Sequence, residues 1–179
     1  MVNAQDSVRK REENPQSEKQ LRYGVSINQS ITKYGFPSSA LFTINFKKHQ
    51  FDIGPRFGLG YSSISYQRVF GVEFNYRFYP LGDTRWFGPY FLFNASYLNY
   101  STSYIDIYDS SIQNTKNSIE MNLGCGIKFT IIKGFYIGTH VGLGTFNGVK
   151  QDITDGEVKV KMSERSGGFI GSVFLGYKF

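Results

Sequence analysis

The chain has 179 residues, 40% of them hydrophobic, with a net charge of +6 and one cysteine, and its mean hydropathy is −0.30. That length suits one domain, the lone Cys125 excludes an intramolecular disulfide framework, and no apolar run approaches the roughly 18 residues of a transmembrane helix. Aromatic residues reach 17% and there are 20 glycines, a composition that favours strands over helices.

Residues 1–19 are rich in charge, Gln and Asn and lack apolar periodicity, so we expect a flexible tail ahead of a single domain at 20–179. The opening MVNAQDSVRKREENPQSEKQ carries no apolar stretch of the kind a secretory leader has. Either the chain acts in the cytoplasm or Met1 stands where a leader was removed, and the strands that follow favour the second.

From Leu21 onward the chain resolves into alternating runs of about ten residues. LRYGVSIN puts Leu21, Tyr23, Val25 and Ile27 on one face; ALFTINFK offers Phe42, Ile44 and Phe46. FDIGPRFGLGY carries Phe51, Ile53, Phe57, Leu59 and Tyr61, and VFGVEFNYRFY carries Phe70, Val72, Phe74, Tyr76 and Phe78. PYFLFNASYLNY follows with Phe91, Phe93 and Tyr97. In IEMNLGCGIKFTII every odd position from Ile119 to Ile131 is apolar and the even ones to Thr130 are polar or glycine. FYIGTHVGLGTF and FIGSVFLGYKF complete eight strands.

The connections alternate in length. KKHQ, PLGDTRW and IKG are short, whereas ITKYGFPSS, SSISYQR, 101–118 and 147–166 are longer and polar. Short turns at one end and long loops at the other describe an antiparallel up-and-down meander with both termini at the short-turn end.

The second face of each run decides which side is inside. It carries Arg22, Asp52, Arg56, Glu73, Arg77, Glu120, Lys128 and His140 among Asn, Ser and recurrent Gly. Glycine weakens a water-exposed strand, so its recurrence every second residue points to a crowded interior. An eight-stranded barrel has such an interior, just wide enough for side chains to fill. Unpaired buried charges cost several kcal/mol, so these eight residues are expected to form a lumen charge network, with Glu73 and Glu120 as partners of Arg77 and Lys128. The apolar face would then meet lipid. Tyr79, Trp86, Phe135 and Phe179 near the short turns, with Tyr61, Tyr97 and Tyr100 toward the long loops, are expected as two aromatic girdles. The fold class is thus an all-β, eight-stranded antiparallel transmembrane barrel. The alternative is a soluble lipocalin-like barrel with its faces inverted.

On these residues the sequence resembles the small outer-membrane β-barrels of the OmpA/OmpX transmembrane type. It is similar to the outer-membrane β-barrel domain proteins of Bacteroidetes-like bacteria. The terminal run FIGSVFLGYKF, with Tyr177 two residues before Phe179, resembles the signal read by the outer-membrane assembly machinery. KHQFDIGPRFGLGY and FGVEFNYRFYP resemble the central hairpin. The resemblance implies outer-membrane lipid and lipopolysaccharide as surroundings and the assembly machinery as a partner.

Other motifs carry less. Gly142-Leu143-Gly144 and Gly124-Cys125-Gly126 sit at no strand-to-helix junction, so lumen packing is preferred to dinucleotide binding. Two distant histidines and one lipid-facing cysteine make no metal site. A hydrolase needs Ser, His and an acid grouped together, and His140 has no serine two positions on. Catalytic residues and cofactors are therefore expected to be none. Scattered basic residues without interleaved aromatics give no nucleic-acid surface. The expected role is structural or surface interaction, with an extracellular partner at 101–118 and 147–166; narrow-pore transport and lipid modification are the alternatives. Alternation at Val158, Val160 and Met162 suggests that the last two strands extend beyond the membrane.

Overall fold

The structure is a computed structural model, and it describes residues 21–32, 35–62, 65–82, 86–105, 111–154 and 157–179. The expected tail at 1–19 lies outside the described residues. Eight strands follow in order: β1 (Arg22–Thr32), β2 (Ser38–Phe46), β3 (His49–Ser62), β4 (Ser65–Phe78), β5 (Phe87–Ile105), β6 (Ser111–Ile132), β7 (Phe135–Thr154) and β8 (Glu157–Lys178). Each pairs antiparallel with its sequence neighbour, and β1 pairs with β8 to close a barrel.

Two of the short turns take two residues. Lys47 and Lys48 join β2 to β3, with Lys47 in the left-handed region at φ 54°, and Gly134 at φ 86° completes the turn between β6 and β7. That geometry matches the right-handed twist of the flanking strands.

The wall is apolar outside and polar inside. Ile27, Phe70, Leu123, Val141 and Leu143 are exposed, as are large apolar side chains on every strand. Soluble monomers rarely expose apolar patches beyond a few hundred Å², and this one encircles the molecule. Asn28, Thr43, Asp52, Arg56, Glu73, Arg77, Asn94, Glu120, Lys128 and His140 are buried. The soluble, inverted alternative does not fit this arrangement.

The strands are unequal, and here the expected loops need correction. β1 and β2 are 11 and 9 residues long, about what a bilayer requires, while β6 and β8 run to 22. Within the expected link 101–118, Ser101–Ile105 belongs to β5 and Ser111–Ser118 to β6. Within 147–166, Asn147–Thr154 belongs to β7 and Glu157–Ser166 to β8, the extension of the last two strands that the alternation at Val158, Val160 and Met162 suggests. In SSISYQR, Ser62 ends β3 and Ser65–Arg68 begin β4.

Candidate functional site: the filled lumen and the raised sheet

Inward-facing residues of β1–β6 build the upper part of the lumen filling. The Glu73 carboxylate accepts hydrogen bonds from Asn28 Nδ2 at 3.0 Å, Asn75 Nδ2 at 2.7 Å and Asn94 Nδ2 at 3.4 Å, and from the Ser39 hydroxyl. Arg56 lies between two carboxylates, with Nε 3.6 Å from Glu73 and a terminal nitrogen 3.5 Å from Glu120. That nitrogen also donates to Ser96 Oγ at 2.6 Å. Asn122 donates to Asn94 at 3.0 Å, and Asn94 to Asn75 at 2.8 Å, so one network crosses from β1 to β6. A network that joins six strands fixes their positions across the lumen as well as along the wall.

Arg77 and Asp52 form a second ion pair at 2.8 Å, both fully buried. Asp52 also accepts from Thr43 Oγ1 at 2.7 Å and Gln50 Nε2 at 2.8 Å. The Arg77 guanidinium lies 4.2 Å from the Phe174 ring centroid and 5.5 Å from that of Tyr90. Lys128 Nζ stands 4.2 Å over the Tyr79 ring, in the range of a cation–π contact. An aromatic and aliphatic cluster of Tyr79, Tyr90, Leu92, Tyr136 and Phe174 fills the space around these cations.

The expected network is thus divided differently. Glu73 and Glu120 pair with Arg56, not with Arg77 and Lys128, because Arg77 sits beside Asp52 and Lys128 lies eight residues along β6 from Glu120. Arg22 is exposed at the strand end rather than in the lumen. His140 is buried but makes hydrogen bonds in place of an ion pair, with Ser172 Oγ 2.8 Å from Nε2 and the Tyr90 hydroxyl 3.2 Å from Nδ1. Tyr79 is fully buried, donating to Gln50 at 3.1 Å, and so belongs to the lumen rather than to a girdle. Trp86, Tyr97, Phe135 and Phe179 are exposed on the wall; the side chains of Tyr61 and Tyr100 lie outside the described set. Tyr177 packs on Phe135 at 4.7 Å between centroids.

The sequence reading missed Tyr90, Tyr136, Phe146, Ile170 and Phe174, all buried on the inner face. The signal was present, since Tyr136 and Phe146 fall at inward parity with His140 on β7. It also missed Ser172 as the neighbour of His140. That pair does not make a hydrolase triad, because the second ring nitrogen faces a tyrosine hydroxyl and the pair is buried inside the barrel wall.

Above the closed part the sheet opens. β1 pairs with β8 only over Gly24–Thr32 and Lys178–Ile170, and β2 pairs with β3 up to Phe57. Among the described residues, β8 from Glu157 to Phe169 therefore pairs with β7 alone. From Glu157 to Arg165, one edge of β8 thus has no strand beside it among the described residues over about 30 Å at ~3.3 Å per residue.

No family model and no curated protein matches the sequence. Among solved structures, a major outer membrane protein from Thermus thermophilus aligns over 89% of this chain and 100% of its own, with a TM-score of 0.64 at 11% identity. The N-terminal β-barrel domain of Pseudomonas aeruginosa OprF aligns over 89% and 100%, with a TM-score of 0.54 at 12% identity. The chain has the fold of the eight-stranded outer-membrane β-barrels: closed, antiparallel throughout, apolar outside and filled with polar side chains.

Proposed function

We propose that the protein is an integral outer-membrane barrel whose raised sheet binds extended polypeptide outside the cell by strand addition. The observation that carries this reading is the edge of β8 from Glu157 to Arg165, which among the described residues pairs with β7 alone. An unpaired strand edge presents a row of backbone donors and acceptors, which soluble and membrane proteins alike must cover or use. The membrane-embedded part serves as the anchor, and Tyr177 with Phe179 is read as its assembly signal.

Passage through the lumen is disfavoured because Arg56, Glu73, Asp52 and Arg77 are fully buried and fill it. Catalysis has no support from the buried Ser172–His140 pair. The test replaces the raised part of the last hairpin, residues 150–162, by a two-residue Asn-Gly turn that closes the Val149–Ser163 pairing. Full-length and shortened proteins in vesicles are exposed to bead-bound libraries of extended ten-residue peptides. Retention by the full protein alone supports strand addition; equal retention by both, or by neither, contradicts it.

A further inference from the structure

The short-turn end carries a second feature that the raised sheet does not explain. Lys47 and Lys48 are exposed in the turn between β2 and β3. Arg22, exposed at the start of β1, pairs in register with Asn45 beside that turn. On the other side of β1, Gly24 pairs with Lys178, whose backbone N–H donates to Gly134 at 2.8 Å. Gly134 adjoins exposed Lys133. The sheet order thus sets these cations in one arc around the rim, from β3 through β1 to β6.

No described acidic side chain at that rim neutralises them. Among the described residues none is exposed at this end, and Asp52, further along β3, is buried against Arg77. The depth of the arc is set by its neighbours. Tyr23, Phe46, Phe135 and Trp86 are exposed on the outer wall at the same strand ends, where aromatic rings favour the boundary between hydrocarbon and water. Lys47 Nζ lies 5.5 Å from the centroid of the Phe46 ring, so its charge sits at the level of that ring, at the boundary. Cations at that depth face lipid phosphates.

We propose that this rim selects anionic phospholipid headgroups, of the phosphatidylglycerol class, in the leaflet at the short-turn end. The proposal rests on the transmembrane placement. It concerns the leaflet opposite the raised sheet and is independent of strand addition.

The chain supplies its own probe. Trp86 is its single tryptophan; it is exposed at this rim, and its carbonyl accepts from Thr130 N–H at 2.8 Å. The protein is refolded into phosphatidylcholine vesicles in which a fraction of the lipid is replaced by brominated phosphatidylglycerol or brominated phosphatidylcholine. Quenching of Trp86 then reports the lipid beside the rim. At low salt the glycerol lipid is expected to be enriched about fivefold over the choline lipid, the ratio for one cation facing one anionic headgroup. The enrichment falls toward one near 1 M salt, where the Debye length is about 3 Å. It also falls toward one in a variant combining Arg22→Gln, Lys47→Asn, Lys48→Gln and Lys133→Gln. Asn at position 47 tolerates the left-handed backbone, and heat-modifiable gel migration verifies that the variant is folded. Equal quenching by both lipids in the unaltered protein, or undiminished enrichment in the variant, overturns the proposal. Inorganic phosphate at matched ionic strength leaves the enrichment unchanged; its abolition would assign the cations to soluble anions and overturn the lipid reading. Absence of quenching by either lipid would overturn the transmembrane placement together with the preference.

Discussion

Replacing Arg77 by methionine should unfold the barrel more easily by about 3–5 kcal/mol, the usual cost of removing one partner of a buried ion pair. The pair is 2.8 Å long and both side chains are fully buried. At an effective dielectric constant of about 20, two unit charges at that distance attract by about 6 kcal/mol. Methionine keeps an unbranched apolar stem while removing the charge together with the guanidinium contact on Phe174. What remains is Asp52, held by Thr43 and Gln50 alone, with a carboxylate that no cation compensates. Equilibrium urea unfolding in vesicles, followed by Trp86 fluorescence, measures the loss at constant m-value. A double variant, Asp52→Leu with Arg77→Met, removes the orphaned charge as well and should recover most of it. A loss below about 1 kcal/mol for Arg77→Met alone is the behaviour of a solvent-exposed pair. That result would refute a dry, filled lumen.

Four further outcomes follow from the same geometry. Gly126→Ala places a methyl group against the Tyr90 ring and should cost about 1–3 kcal/mol in the same unfolding assay. Gly171→Ala, on the outer wall with nothing within 4 Å, should be neutral or stabilising by up to about 1 kcal/mol; equal losses at the two sites would contradict the assignment of inner and outer faces. Leu123→Lys, at a site 69% exposed, should cost about 2–4 kcal/mol in vesicles. A water-facing position would tolerate it within about 0.5 kcal/mol. Planar bilayers containing the protein should show no steady channels, since the lumen is occupied by Arg56, Glu73, Arg77 and Asp52; stable conductance would contradict that filling.

The barrel was legible in the sequence because the membrane forces opposite chemistries onto alternate residues. From Ile119 to Thr130 the two solvents of the wall are written one residue apart. Where that alternation ends the strands are harder to read: Ser111–Ser118 belongs to β6 although its sequence is that of a polar loop, whereas the alternation at Val158, Val160 and Met162 already suggests the extension of β8. Tyr79 shows a different failure. Alternation in β4 places it inward with Arg77, whereas an aromatic residue at a strand end has the chemistry of a girdle; parity decides, and Tyr79 is buried. Ion pairing was the least legible. Parity selects which charges share the lumen, but strand tilt and stagger decide which of them meet, and so Arg56 rather than Arg77 lies between Glu73 and Glu120.

The central claim is that the apolar face is the exterior and lies in hydrocarbon. Cys125 tests it directly, being the only cysteine, exposed, and midway between Ile119 and Ile131 on that face of β6. A nitroxide attached there, with the protein refolded into vesicles, should collide freely with dissolved oxygen and be shielded from a water-soluble nickel chelate. High accessibility to the chelate, with little to oxygen, would place Cys125 in water and contradict the membrane-spanning arrangement.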